Sequence, residues 1–573
     1  MTKKILLFIS LFYSFHVFSQ KNGERPNIIW ITCEDISPFI GAYGDKVVKT
    51  PNIDQLAREG ILYTHVYTTA GVCAPSRSAI ITGMYQNSIG THHMRTSGDP
   101  KYQPVPSYSA VIPGYVKCFP EFLRIEGYYC TNNSKQDYQF EAPVTVWDEN
   151  GPAASYRNRP DGKPFFSVFN FFITHESQLF LRKDSLLVDP DVVRIPPFLP
   201  NTPTARKDMA RLYTNIEIMD QQIGELIAML KEDGLFDNTY IFFFSDHGGA
   251  LPWMKRELLE RGTHIPFIIR FPGGQFAGTS NHDLVSAVDF APTVLSLAGI
   301  GIPTYMQGKA FLGKQKSTTP RKYVFAARDR MDTEYDRVRM VRDKRFRYLY
   351  NYMPEKPYYQ NIEFRLSIPV MKEILQLRDS KKLDSVQSSW FSAKPLEELY
   401  DLEKDTNELH NLVNDPLFSE KLKELRTAFQ SWTNEMGDMG SMSEKEMIER
   451  WWNDKTEPPV TSLPGVTQTK DGLKLFCNTS GASIGYRVLA SDQVKQLHTV
   501  TSWDATVIMG TGIKNGRQIN FEPAWNVYHG ETININKGDT LEVNAVRIGF
   551  KPSIIKYVDG KTIPSNEAKN SIK

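Results

Sequence analysis

Tyr240-Ile241-Phe242-Phe243-Phe244 runs straight into Ser245-Asp246-His247-Gly248. A run this short and this apolar suits a central strand covered on both faces, and it ends on an acid and a histidine. The pattern occurs twice more. Asn27-Ile28-Ile29-Trp30-Ile31-Thr32 leads into Glu34 and Asp35, and residues 165–173 lead into His175. Between the runs at 165–173 and 240–244, Met209, Leu212, Tyr213, Ile216, Met219, Ile223, Leu226, Ile227 and Leu230 recur at steps of three and four, with Gly234 behind them as a stop. That is the period of a helix with one buried face. Strand, helix and strand in this order predict a crossover unit and a largely parallel α/β sheet flanked by helices. Ligands of such sheets bind beyond the carboxyl ends of the strands, which is where all three runs place their acids and histidines.

The surrounding chain sets the frame. Its 573 residues exceed one compact core. With 41% hydrophobic and 23% charged residues it reads as globular, and a net charge of +2 without a long basic run argues against a nucleic-acid partner. Lys3 and Lys4, an apolar stretch over 5–17 and Val17-Phe18-Ser19 read as a signal peptide over 1–19, not a membrane span. The expectation is an exported protein, periplasmic or secreted, that is not integral to a membrane. Five cysteines leave at least one thiol unpaired; Cys118 and Cys130 are near enough along the chain to pair. The main body is expected over 25–325 and a smaller C-terminal subdomain over 326–455, containing arginine-rich paired strands. After Pro458-Pro459 and Pro464-Gly465, residues 466–573 alternate apolar and polar positions between turn pairs, as in an appended all-β, sandwich-like module.

Cys73-Ala74-Pro75-Ser76-Arg77 opens a helix that Gly83 stops. A cysteine at a helix start faces unpaired backbone N–H groups and the positive end of the dipole, a place that favours an anion. Arg77, one turn on, adds a fixed charge. On physics alone this is an anion site with a nucleophile. The stretch Cys73 to Gly83, CAPSRSAIITG, resembles the C-x-P-S-R…T-G modification motif of the type I, formylglycine-dependent sulfatases of the alkaline phosphatase superfamily. The resemblance covers roughly 25–412 and includes the closing Leu399-Tyr400-Asp401-Leu402…Asn411-Leu412. It implies an alkaline-phosphatase-like fold. It also implies that a dedicated maturase oxidises Cys73 to formylglycine, whose hydrate attacks sulfur.

Other positions follow from the same resemblance. Glu34 and Asp35 stand where the family carries Asp-Asp, and Asp246-His247-Gly248 matches its D-[NH]-G element; with Cys73 they form the implied metal set. Carboxylates suit a hard divalent cation, so Ca²⁺ is expected, and His247 admits Zn²⁺ or Mn²⁺ as alternatives. His175 matches the histidine at the scissile oxygen and Lys255 a lysine that binds a sulfate oxygen. In Asn133-Ser134-Lys135-Gln136-Asp137 the sulfate-binding lysine is present as Lys135, but Asp137 departs from the usual histidine. Either Asp137 or another group, such as His92 or His93, then serves as base. His92, His93, Arg95 and Asp137 are the candidate substrate-binding set.

These readings predict a sulfatase acting on a sulfated carbohydrate, a polysaccharide-derived oligosaccharide. Algal glycans such as ulvan or carrageenan come first and glycosaminoglycans second. A phosphonate monoester or phosphodiester hydrolase of the same superfamily is the alternative. A sugar-binding protein with a decayed site is disfavoured, because Cys73, Arg77, Lys135, His175, Asp246 and Lys255 are all present.

Overall fold

The computed structural model describes residues 25–97, 105–490, 497–500, 517–520, 524–558 and 560–564. The expected signal peptide lies outside them. Among the described residues no helix is long and apolar enough to cross a membrane.

An eight-stranded sheet organises the body. Its strands are β1 (Asn27–Cys33), β2 (Ile61–Tyr63), β3 (Tyr129–Asn133), β4 (Glu149–Asn150), β5 (Phe165–Phe171), β6 (Thr239–Ser245), β7 (Phe267–Arg270) and β8 (Thr279–Asn281), in the order β4-β3-β5-β1-β6-β7-β2-β8. From β4 to β6 every neighbour is parallel; β7 runs antiparallel to β6 and to β2. The three apolar runs are β1, β5 and β6, side by side at the centre. Alternation along them feeds two cores. Ile29, Ile31, Ile241 and Phe243 face one layer, and Ile28, Trp30, Phe242 and Phe244 the other. Both faces are buried, which is why these strands are apolar throughout rather than alternating.

Helix α1 (Cys73–Thr82) packs on the second layer through Ile80 and Ile81, and α2 (Pro203–Glu232) fills the first. The helical period read from Met209 to Leu230 is the buried face of α2. Thr202 caps it by accepting from Ala205 N–H at 3.1 Å, Pro203 occupies the first turn, and Gly234 beyond the end sits at φ 67°.

Register carries this order to the site. Cys33 lies level with Phe171 and with Ser245, so β1, β5 and β6 end together. Beyond them come Glu34-Asp35, His175 and Asp246-His247.

The arginine-rich stretch forms an antiparallel sheet of β9 (Val324–Arg328), β10 (Val338–Arg342), β11 (Phe346–Asn351) and β12 (Glu397–Asp401), backed by α3 (Ser419–Met436). Its arginines grip the segment after Lys255. Arg328 pairs with Glu257 at 2.6 Å, and Arg347 and Arg342 pair with Glu260 at 2.6 and 3.0 Å. In the terminal part a hairpin (Gly465–Thr469, Gly472–Phe476) shares one small core with a five-stranded sheet. It is docked on the body: Lys117 Nζ donates to Gly481 O at 2.7 Å, and Arg124 and Arg547 donate to the carbonyls of Trp525 and Ile112. All five cysteines are free thiols. Cys118 and Cys130 are both buried in the second core layer without pairing.

Candidate active site

α1 aims its start at the strand ends. Val72, extended at φ −153°, precedes it, and the first backbone bond is Ser76 N–H to Val72 O at 3.3 Å. The N–H groups of Cys73 and Ala74 therefore precede the helical ladder. Gly83, left-handed at φ 68°, closes the helix onto Ala79 O. Ser76 Oγ donates to Asp246 O at 2.6 Å, tying the helix to the β6 end.

Around Cys73 Sγ stand His247 Nε2 at 3.2 Å, Asp35 Oδ1 at 3.9 Å and Glu34 Oε2 at 4.0 Å. Two overlapping groups, Glu34-Asp35-Cys73-His175 and Asp35-Cys73-Asp246-His247, each bring one ligand atom per residue within 4.8 Å of the others. All are buried. Three cations hold the three carboxylates. Arg77 bonds Glu34 at 2.7 Å and Asp246 at 3.1 Å, Lys135 bonds Glu34 at 2.7 Å, and Lys255 bonds Asp35 at 2.6 Å. The structure thus brings Glu34, Asp35, Cys73, Arg77, Lys135, His175, Asp246, His247 and Lys255 into one cluster.

The titration behaviour follows this charge balance. Burial alone would raise the carboxyl of Asp35, but Lys255 and the two nearby histidines hold it well below the usual range. Burial also opposes a charged His247, yet Asp246, Cys73 and Asp35 hold its pKa well above the ordinary value. His175 moves the other way, pushed down to about 4 by burial and by Lys255. Its Nδ1 accepts the Ser177 N–H at 3.2 Å, so the neutral ring carries its proton on Nε2.

Whether a divalent ion fits is a question of donors. Three carboxylates and two imidazoles converge with the Cys73 thiol, the carboxylates supplying hard oxygen. Asp35 and Asp246 are held ionised by their cationic neighbours, and an ion would displace the proton of His247 as it binds. The set fits.

The four candidate substrate-binding residues divide. Asp137 lies 3.6 Å from Lys135 Nζ, and Arg95 is 44% exposed in its side chain. His92 and His93 are buried, with ring centroids 4.2 Å apart. His93 Nδ1 accepts from Arg330 N–H at 3.3 Å, and neither ring hydrogen-bonds Cys73 or Lys135.

Some residues that sequence reasoning missed also matter. Asn170 accepts from Arg77 Nη1 at 2.8 Å and donates to Asn132 Oδ1 at 3.0 Å, fixing the guanidinium from behind. As the one amide inside the apolar β5 run, it carried a signal. Glu176 donates its backbone N–H to Asp35 at 2.7 Å, accepts from Lys255 at 3.1 Å and is clamped by Arg256 at 2.6 and 2.9 Å. Phe172 stacks on His175 at 4.7 Å and is 37% exposed.

Comparisons with known proteins give the family of the chain. Residues 26–182 and 152–300 match the family model described as Sulfatase, and residues 249–386 match that of N-sulphoglucosamine sulphohydrolase, C-terminal. The chain is 44% identical over 570 residues to an ulvan-active sulfatase of Formosa agariphila, spanning 93% of this chain and 91% of that protein. A solved structure in complex with its substrate D-glucosamine-2-N,6-O-disulfate superposes with a TM-score of 0.53 at 18% identity, covering 73% of this chain and 100% of that one. The phosphonate monoester hydrolase of Agrobacterium radiobacter gives 0.53 at 17%, covering 74% and 99%. These two likenesses show a shared fold.

Proposed function

The chain belongs to the sulfatase family and is a sulfuric ester hydrolase acting on sulfated carbohydrate, and from that premise we propose that its substrates are oligosaccharides cut from an algal polysaccharide, ulvan first. The observation that carries the site assignment is the convergence on Cys73 Sγ: one imidazole and two carboxylates within 4.0 Å, with Arg77, Lys135 and Lys255 bound to the carboxylates of that cluster. The relative's activity on ulvan supports the substrate class.

Glu34, Asp35, Asp246 and His247 would hold Ca²⁺. Formylglycine at position 73 would supply a hydroxyl nucleophile, and the bound ion would draw charge from the sulfate group. Arg77 fixes the geometry at position 73 through bonds to Glu34, Asp246 and Asn170. Lys135 and Lys255, each held by a ligand carboxylate, are the cations available to sulfate oxygens as substrate enters. His175 holds a proton on Nε2 for the leaving oxygen, while Ser177 N–H locks the other nitrogen. Asp137, beside Lys135, lies on the same side as that lysine, and we assign it to the substrate rim.

Separate sheets support the division into a catalytic domain over 25–325, a subdomain over 326–455 and a β appendage over 466–573; the latter two add small cores of their own, while one face of the subdomain sheet packs into the core of the body. The charged start and apolar stretch of residues 1–19 support export. The CAPSR motif supports maturation of Cys73 by a partner enzyme.

The test is sulfate release from ulvan, carrageenan and glycosaminoglycan oligosaccharides by protein co-expressed with a formylglycine maturase. Cys73→Ala should fold with an unchanged unfolding midpoint and release no sulfate. Faster turnover of phosphonate monoesters than of any sulfate ester would replace the reading with the phosphoester one.

A further inference from the structure

The mouth of the site is built around a cation with no hydrogen-bonded partner. Arg95 projects from a loop between α1 and β3. Its nearest carboxylate, Asp332, is 4.0 Å from Nε, beyond a hydrogen bond, and among the described residues its guanidinium donates none. Every other arginine and lysine of the cluster is bonded to a carboxylate.

The backbone beneath Arg95 is held in place. Arg95, Asp137 and Asp332 all adopt left-handed conformations, at φ 61°, 55° and 50°. For an arginine this costs about 1–2 kcal/mol, and strain of this kind persists where the surroundings over-determine it. Here the surroundings are Arg330, fully buried. It donates to the carbonyls of Met94 at 2.8 Å, Arg95 at 3.3 Å and Asp332, so one guanidinium fixes both loops of the mouth. Arg330 is itself fixed by Glu444, through Nε and Nη2 at 2.6 Å each, and Glu444 also accepts from Tyr108 at 2.6 Å and Tyr335 at 2.7 Å. Arg95 thus stands on a rigid base with its guanidinium in solvent. Beside the same mouth Phe172 offers an exposed ring, stacked on His175 and lying 5.8 Å from Lys135 Nζ. Such a ring suits the apolar face of a sugar.

We propose that Arg95 recognises a second anionic group on the substrate, a carboxylate or a further sulfate, while the sugar packs on Phe172 and its first sulfate sits between Lys135 and Lys255. The charge near Arg95 is consistent with this, because Asp137 is already engaged by Lys135 at 3.6 Å and its carboxyl is held below the usual range by Lys135 and then Arg95. The substrate class narrows accordingly, from any sulfated carbohydrate to one with two negative groups within the span of one or two sugar rings. This rests on the sulfatase reading above.

The matured, Ca²⁺-loaded full chain separates the possibilities. Its kcat and KM are measured on 4-nitrophenyl sulfate, a neutral sugar monosulfate, a sulfated disaccharide carrying a uronate, and a disulfated one. The doubly anionic substrates should be preferred, and whether the uronate or the disulfate leads identifies the second group. In Arg95→Gln the ratio of kcat/KM between doubly and singly anionic substrates should fall about ten- to hundredfold, the range expected for a charge-assisted bond. The loss should fall in KM, and Arg95→Lys should recover part of it. Equal losses on singly and doubly anionic substrates, at an unchanged unfolding midpoint, would overturn this inference and leave the sulfatase reading standing. No sulfate release from any substrate by the unsubstituted enzyme would bring down both.

Discussion

Two buried clusters of charge stand within this molecule, and they behave differently. Around Cys73, Arg77, Lys135, Lys255 and the imidazole of His247 share three carboxylates, and every partner is a residue that a ligand would claim. Around Arg330 the guanidinium faces one carboxylate and three carbonyls, and Glu444 accepts two further tyrosine hydroxyls. Nothing there is left for a ligand. Buried ion pairs rarely add net stability over apolar replacements, while breaking one is expensive. The difference therefore lies in use: the first cluster can exchange its partners, and the second can only hold loops still.

The comparison breaks most visibly with metal. Chelation should abolish turnover, and returning Ca²⁺ should restore it. Added Ca²⁺ should also raise the unfolding free energy of the chelated protein, by about 2.7 kcal/mol at a hundredfold excess over Kd. Asp246→Asn should remove that rise. A rise that persists in this variant would move the ion away from the Cys73 cluster, and the claim of exchangeable partners would go with it.

The second cluster should respond to loss of its centre. Arg330→Met leaves Glu444 buried against two hydroxyls and leaves three carbonyls without their donor. Urea unfolding should show a loss of about 3–5 kcal/mol. Arg77→Met should abolish turnover at a smaller cost in stability, because Lys135 still holds Glu34. The reverse order of stabilities would mean that the catalytic cluster is also the structural one.

Most of the first cluster was legible along the chain and almost none of the second. Strand ends announce themselves, because an apolar run must stop where its backbone leaves the sheet, and Glu34, Asp35, His175, Asp246 and His247 sit at those stops. Cys73 and Arg77 share one helical turn, a local spacing that a sequence displays. Glu176 and Arg256 adjoin His175 and Lys255, yet no periodicity distinguishes them from solvated neighbours. Arg330 and Glu444 are 114 residues apart, and no pattern of neighbours reports a contact at that separation. His92 and His93 illustrate the converse. Two adjacent histidines read as pocket lining, but their burial depends on Gln139, which donates to His93 O, and on Arg330.

Asp208 sharpens the contrast as a buried carboxylate that belongs to neither cluster. It lies on α2, 3% exposed, and accepts the Val370 N–H at 2.7 Å, at the start of the helix Pro369–Asp379. Among the described residues no cation bonds to it, and burial pushes its pKa up to about 7. Its folded value is thus raised above the unfolded one, near 3.9. The sign follows: Asp208 costs nothing below about pH 4, and stability is lost as pH rises from there through 7. Asp208→Asn keeps an acceptor for Val370 and removes the charge. It should leave the unfolding midpoint unchanged at pH 4 and raise stability by about 1–2 kcal/mol at pH 8, less than the full shift because Asp208 lines a cleft of about 610 Å³. A gain of the same size at both pH values would mean that packing, not ionisation, sets the cost. Asp35 and Asp246 of the Cys73 cluster, held below the usual carboxylate range by their cationic neighbours, should show the opposite slope.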